Sequence, residues 1–386
     1  MNYEKITSFI REIYGEGYIP LHRPIFAGNE KNYLSDCIDS NFVSTAGQKV
    51  NDFEATVSNF TGIRNSVAVV NGTSALHLAL RLVKVVSDDE VITQALTFVA
   101  TCNAINYLGA NPVFVDVDKD SMGMSPVALR NFLQEFAVQK EGFIVNKISG
   151  RRIAACVPMH TFGHPCRVDE IVAICNDYSI PVIEDAAEAL GSYIGDKHTG
   201  GSGYASVFSF NGNKLVTTGG GGMLVSNNAE LASQAKHLTT TAKVPHPVEY
   251  IHDEIGYNYR LPNLNAALGC AQMELIHEMI DIKRKVSYEY SEYFQSQGIE
   301  FKVEREGTKS NYWLNCLILD SRAQRDEFIQ YTNSHDIMTR PIWCLMSDLP
   351  MYSSCQHDSL ENSTWLVDRV ANLPSSVPDG MLGGKA

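Results

Sequence analysis

The chain has 386 residues, of which 44% are hydrophobic and 19% charged; this excludes a disordered chain and points to one large domain plus a smaller one. A formal net charge of −13 excludes general binding to nucleic acid, which needs a basic surface, but leaves room for a local pocket for a phosphorylated small molecule. The nine cysteines are scattered and odd in number, no stretch has the apolar length of a membrane span, and the opening "MNYEKITSFIREIYGEGY" lacks a signal-peptide core, so a reduced, cytoplasmic protein is expected.

Residues 1–60 read as an amphipathic helical segment packed on the large domain. Over 61–255, short β-rich runs alternate with helical ones. "SVAVV" leads into "TSALHLALRLVKVV", "DEVITQ" precedes "TFVATCNAINYLG", and "NPVFVDVD" precedes "SPVALRNFLQEF". "IAACVPMH" then precedes "VDEIVAICNDYS", and "IPVIEDAA" follows. Buried strands separated by helices predict an α/β domain with a mostly parallel sheet covered on both faces. From 256 to 386 the pattern becomes a long helical stretch, broken once, and then a small α+β domain.

Three motifs in the large domain carry chemistry. "VVNGTSALHLAL" sets Thr73 and Ser74 between a strand and a helix, where free N–H groups, hydroxyls and the helix dipole suit a phosphate. An ordinary N-cap explains the same residues. "PVIEDAAEALG" ends an apolar strand with Glu184 and Asp185, which alternation places on opposite faces. A carboxylate there lies where open α/β sheets bind ligands, and a helix-start acid is the plainer alternative. "SFNGNKLVTTGGGGM" places Lys214 before four glycines, in surroundings that suit a nucleophilic amine or a simple turn lysine. Together, a phosphate turn, a strand-end aspartate and a lysine are the three anchors of pyridoxal phosphate.

With "TFVATCNAINYLGANPVFVDVD" and "GYNYRLPNLNAALG" added, five motifs in order resemble the DegT/DnrJ/EryC1/StrS family of sugar aminotransferases over nearly the whole chain. The resemblance implies a type I pyridoxal phosphate-dependent fold with a seven-stranded type of sheet. Lys214 resembles the lysine that bonds the cofactor, and Asp185 the carboxylate on the ring nitrogen. Thr73, Ser74 and Ser209 resemble phosphate ligands, and Phe98 the aromatic stacked on the ring. Glu188 resembles the residue facing the ring hydroxyl. Asn258 and Arg260 fall in the segment that relatives give to the neighbouring subunit, which implies a homodimer with composite sites. His160 matches a histidine near the cofactor, and Arg340 and Trp343 lie by analogy near the substrate cleft. The expected donor is L-glutamate, with pyridoxamine phosphate as the intermediate form of the cofactor. The expected acceptor is a nucleotide-linked keto sugar. The N-terminal extension, "RPIWCLMSDLPMY" and "NLPSS" resemble the legionaminic-acid branch, which uses a UDP-linked 4-keto-6-deoxy-N-acetylhexosamine in surface-glycan synthesis. GDP- or dTDP-linked sugars are the alternatives. Many relatives carry an acidic residue within the glycine run, and this chain does not.

Other readings weigh less. "CVPMHTFGHPC" offers Cys156, His160, His164 and Cys166 as zinc ligands, but in one strand and turn rather than two separated pairs, so no metal is expected. Relatives that remove a sugar hydroxyl carry histidine in place of the lysine. A non-catalytic cofactor-binding sensor, which would bond the cofactor yet transfer no nitrogen, is disfavoured by the intact Asp185, Lys214 and phosphate turn.

Overall fold

The computed structural model describes residues 1–383. Seven strands form the large sheet: β1 Asn65–Val69, β2 Glu90–Gln94, β3 Asn111–Val115, β4 Ile153–Val157, β5 Ile183–Asp185, β6 Ala205–Ser209 and β7 Gly222–Ser226. Their order is β1-β7-β6-β5-β4-β2-β3, with β5 joined to β4 by parallel bridges at Cys156–Val182 and Met159–Asp185. Only β7 runs against its neighbours. β2, β4 and β7 are buried throughout, which is why "IAACV" of β4 reads as a continuous apolar run instead of an alternating one; β2 also buries the polar Glu90, Thr93 and Gln94.

Helices α4 Gly72–Leu82, α5 Val99–Asn106, α6 Pro126–Phe136, α7 Val168–Asp177 and α8 Ala229–Thr239 flank this sheet. α4 begins where the Asn71 carboxamide accepts the Ser74 N–H at 2.7 Å. It then buries Leu76, Leu78 and Leu80 in a core shared with Val67, Val69 and Leu224. On the opposite face, Phe208, Phe210 and Met223 pack against Phe53 of α3 Gln48–Thr61 and Met273 of α9 Asn263–Glu274.

The long helical stretch is two helices, α9 and α10 Ile276–Ser296, separated at Leu275. α9 packs on α3 and on α2 Glu30–Asp39, while α10 carries Val286, Tyr290 and Phe294 into the small domain. The small domain has an antiparallel sheet ordered β8 Glu300–Phe301, β9 Asn315–Ile318, β11 Val370–Leu373, β10 Arg340–Pro341. α11 Arg322–Ser334 lies against it.

The N-terminal segment divides in two. α1 Tyr3–Tyr14 packs on the small domain, not the large one: Ile6 and Ile10 lie one helical turn apart and enter a core with Tyr290, Phe294, Phe328 and Leu373. Its apolar stripe predicts that it packs but does not choose the surface. A short hairpin pairing Lys243–Val244 with Ile251–His252 stands out from the large domain, with Val248 84% and Tyr250 82% exposed. Among the described residues no helix is long and apolar enough to cross a membrane.

Candidate active site

The positive end of α4 is a narrow cradle. The first N–H groups of a helix have no partner within it, and Asn71 spends only the one on Ser74. Ser209, at the end of β6, lies against Gly72: a Cβ there would sit 3.0 Å from the Ser209 Cβ and 3.3 Å from its Oγ. From β7, Gly222 presses on the backbone of Asn71, where any side chain would collide with the carbonyl. Segments that are distant in sequence thus bring Thr73, Ser74 and Ser209 to one helix N-terminus, a place suited to a phosphate.

β5 delivers the two acids to opposite faces. Asp185 is buried, with Oδ2 accepting from Thr101 Oγ1 at 2.6 Å and Oδ1 from the Ala187 N–H at 3.2 Å. Burial pushes its carboxyl up from the usual carboxylate range, against those two bonds. Such a group gains from a cationic partner. Glu184 already has its partners: the N–H groups of Gly200 at 2.8 Å, Ser202 at 2.7 Å and Gly203 at 2.5 Å, with His160 Nε2 at 3.0 Å. Burial alone would raise its carboxyl, but His160 and these N–H groups hold it below the usual range.

This changes the place expected for His160. Its backbone bonds to the Asp185 carbonyl, but its ring is spent on Glu184 and on the Cys166 N–H at 3.2 Å, so it does not face the site. His164 packs edge-on to Tyr312, and the four candidate zinc ligands do not converge. Among the described residues, the one group with donor atoms in reach of a shared ion is the half-buried His237 with the exposed Asp253 and Glu254, beside the hairpin.

Lys214 lies in the β6–β7 loop. Its Nζ is 3.1 Å from Glu188 Oε1 and 3.9 Å from the centre of the Trp313 ring. The other Glu188 oxygen accepts the Phe162 N–H at 2.9 Å. Burial pushes the Glu188 carboxyl up, and the charge on Lys214 pulls it down. The same charge reaches Asp185, so acid, lysine and second acid share one field. Phe98, half exposed at the start of α5, stands 6.1 Å from Trp343, which stands 4.9 Å from Phe162.

Of three further expected residues, one is committed elsewhere and two lie at the surface. Arg260 is buried and donates to Glu54 Oε1 at 2.5 Å, an ion pair that keeps it inside its own chain. Asn258 is exposed, bridged to Thr240 near the base of the hairpin. Arg340 is exposed on the edge strand β10. Motif reading missed Thr101, Phe162 and Trp313. Thr101 stood within a quoted motif, one helical turn after Phe98. Trp313 comes from the small domain, and no local pattern ties it to Lys214.

Residues 24–378 match the sequence model of the DegT/DnrJ/EryC1/StrS aminotransferase family. The chain belongs to that family. This aminotransferase is 37% identical over 363 residues to EpsN of Bacillus subtilis (strain 168), which is assigned provisionally as a pyridoxal phosphate-dependent aminotransferase; the match covers 94% of this chain and 91% of EpsN. It is 36% identical over 360 residues to the GDP-perosamine synthase of Escherichia coli O157:H7, with 93% of each chain covered. Its fold matches the aminotransferase TlmJ from Streptoalloteichus hindustanus with a TM-score of 0.84 at 23% identity, covering 93% of this chain and 94% of TlmJ.

The aminotransferase uses pyridoxal phosphate, and the residues present fit that group. The cradle at α4 suits its phosphate, the buried Asp185 gains from a cation, and Lys214 supplies an amine 3.1 Å from Glu188 whose charge reaches Asp185. When bound, pyridoxal phosphate supplies an aldehyde for the amine and a ring that withdraws electrons from the substrate carbon.

Proposed function

We propose that the aminotransferase moves the amino group of L-glutamate to the C4 keto group of a nucleotide-linked 4-keto-6-deoxy sugar, with Lys214 as the lysine that bonds the cofactor. The observation that carries this reading is the placing of one amine, at 3.1 Å from Glu188, in the field of the buried Asp185. Asp185 keeps a proton on the ring nitrogen. Thr73, Ser74 and Ser209 bind the phosphate, and Phe98 covers the ring. Glu188 faces the ring hydroxyl and takes the charge of Lys214 when its amine is free. When free, Lys214 Nζ would take the proton from the α-carbon of glutamate, hold it and give it up again, and would do the reverse for the sugar.

For the nucleotide, the relatives favour guanosine: the E. coli protein whose name specifies a GDP-linked sugar is similar across nearly all of both chains. The UDP-linked N-acetylhexosamine of the legionaminic-acid branch rests on motif resemblance alone, so the GDP-linked sugar is the preferred acceptor. Arg340 and Trp343 are the side chains proposed to meet it. A homodimer is proposed as well. Val248 and Tyr250 on the hairpin and Ile255 just after it are exposed apolar side chains that a second copy would cover, carrying Asn258 toward the partner's site.

The test is spectroscopic and then preparative. The yellow lysine-bound form should bleach on adding L-glutamate, and the bleached enzyme should be reoxidised fastest by a GDP-linked 4-keto sugar in a panel with UDP- and dTDP-linked ones. Lys214→Ala should bind cofactor and lose turnover by about a thousandfold or more. A near-normal rate in that variant would sink the assignment, and a band that persists with every donor would support a cofactor-binding sensor instead.

A further inference from the structure

Lys214 Nζ is held between two unlike groups. On one side is Glu188 Oε1, at 3.1 Å; on the other is the face of the Trp313 indole, with its centre at 3.9 Å. The indole arrives from the small domain, and the chemistry assigned to the site so far has no use for a ring there.

Several bonds fix that ring. Its Nε1 donates to the carbonyl of Asn213 at 2.8 Å, so the indole is tied to the residue before the lysine that lies on its face. The Trp313 N–H donates to Asn311 Oδ1 at 2.8 Å. The Asn311 amide in turn donates to the carbonyls of Glu188 and Leu190, each at 2.9 Å. One buried side chain therefore sets the distance between the two walls of the lysine's berth. From behind, the buried ammonium of Lys283 donates to the Trp313 carbonyl at 3.2 Å. Both walls also rest on left-handed backbone in buried, non-glycine residues. Phe162 (φ 57°) aims its N–H at Glu188, and Tyr312 (φ 47°) lies between Asn311 and Trp313. Backbone of this kind persists only where the surroundings over-determine it, and it clusters at functional sites.

We propose that Trp313 is a positioning residue for Lys214: its indole face defines the place to which the amine returns whenever it is not bonded to the cofactor. The proposal rests on the reading of Lys214 as the cofactor lysine. Two effects act together. The negative face of the ring attracts the ammonium. The flat wall also removes rotamers from a long side chain, so the amine is oriented before it must move a proton. Without the wall, proton transfer slows, while glutamate binding, made by other groups, holds.

The first test needs no cofactor. Lys214→Met and Trp313→Leu, alone and together, are unfolded in urea. Their effects should be non-additive by about fivefold in the unfolding equilibrium constant; additive effects overturn the proposal. Where Trp313→Leu does not fold, the tryptophan emission of Lys214→Met decides: it should differ from that of the wild type, and an unchanged spectrum overturns the clamp.

In the loaded enzyme, Trp313→Leu should lower kcat about tenfold with KM for glutamate within about twofold. The isotope effect with α-deuterated glutamate should rise. Trp313→Phe, which keeps a ring face, should regain most of the rate, and equal losses for Leu and Phe again overturn it. Reductive trapping with pyridoxal phosphate and borohydride separates the two readings. A wild-type chain unlabelled at Lys214 ends the cofactor-lysine reading and the proposal with it; labelling at Lys214 beside additive mutant effects ends only the proposal.

Discussion

Replacing Thr101 with valine removes one hydroxyl and keeps the shape of the side chain. That hydroxyl donates to Asp185 Oδ2 at 2.6 Å, in a place where both residues are buried. A hydrogen bond to a buried carboxylate is worth about 1.5–3 kcal/mol, because its loss leaves part of the charge unsatisfied. Among the described residues, the other bond to the carboxylate is from the Ala187 N–H, at 3.2 Å. The Asp185 carboxyl is already raised by burial, and loss of Thr101 raises it further in the folded chain alone. A folded-state value above the unfolded one destabilises at high pH, and the deficit closes as pH falls through it. Thr101→Val should therefore cost about 1.5–3 kcal/mol near pH 8 and less near pH 5. Urea unfolding without added cofactor measures this, with Asp185→Asn and the double variant completing the cycle. Coupling below about 0.5 kcal/mol, or a deficit that does not change with pH, would refute the reasoning.

Arg260→Met should destabilise the chain by about 1.5–3 kcal/mol, because it takes a charged donor from the buried Glu54 and leaves it to the Ala68 N–H and the half-exposed Lys236 ammonium. Adding Glu54→Gln should recover part of the loss in a thermal scan. Burial pushes Lys283 down to about 7, so between that pH and its ordinary value of about 10.4 the unfolded chain holds a proton that the folded one releases. Stability from this group rises with pH across that window, and Lys283→Met should flatten the rise in urea midpoints measured from about pH 7 to about pH 9. Gly222→Ala should push the Asn71 turn out of place and weaken pyridoxal phosphate binding by about tenfold or more, read by equilibrium dialysis, with a smaller effect on Tm.

What could be read from the sequence depended on how local its cause was. The large sheet was legible because strands covered on both faces tend to be apolar runs, as "IAACV" and "PVFV" are. Asp185 and Lys214 stood out because strand ends and glycine-rich loops leave few other uses for such residues. Where a partner comes from far along the chain, residue type misled. His160 and Arg260 have the chemistry of ligands, yet each has a buried carboxylate, Glu184 or Glu54, that takes its polar atoms. The side of the molecule chosen by α1 has the same cause, since an amphipathic stripe does not name its acceptor. Trp313 is the converse case: a small-domain side chain whose partner in the large domain leaves no mark around it in sequence.

The first helix and the last strand described above, α1 and β11, meet in the small domain. Ile6 and Ile10 of α1 share a core with Leu373, and Tyr14 donates to the Pro374 carbonyl at 3.0 Å. Chains emerge from the ribosome N-terminus first, so α1 is made early and waits with its apolar stripe uncovered until the last strand arrives. The large sheet faces no such delay, because its seven strands lie within residues 65–226. Asp185, Glu188 and Lys214 can be in place while the stretch carrying Trp313 is still being synthesised. The nascent chain thus assembles its acids and its amine first and receives the indole that confines them late, so full turnover should first appear only once the stretch carrying Trp313 has been made and has folded.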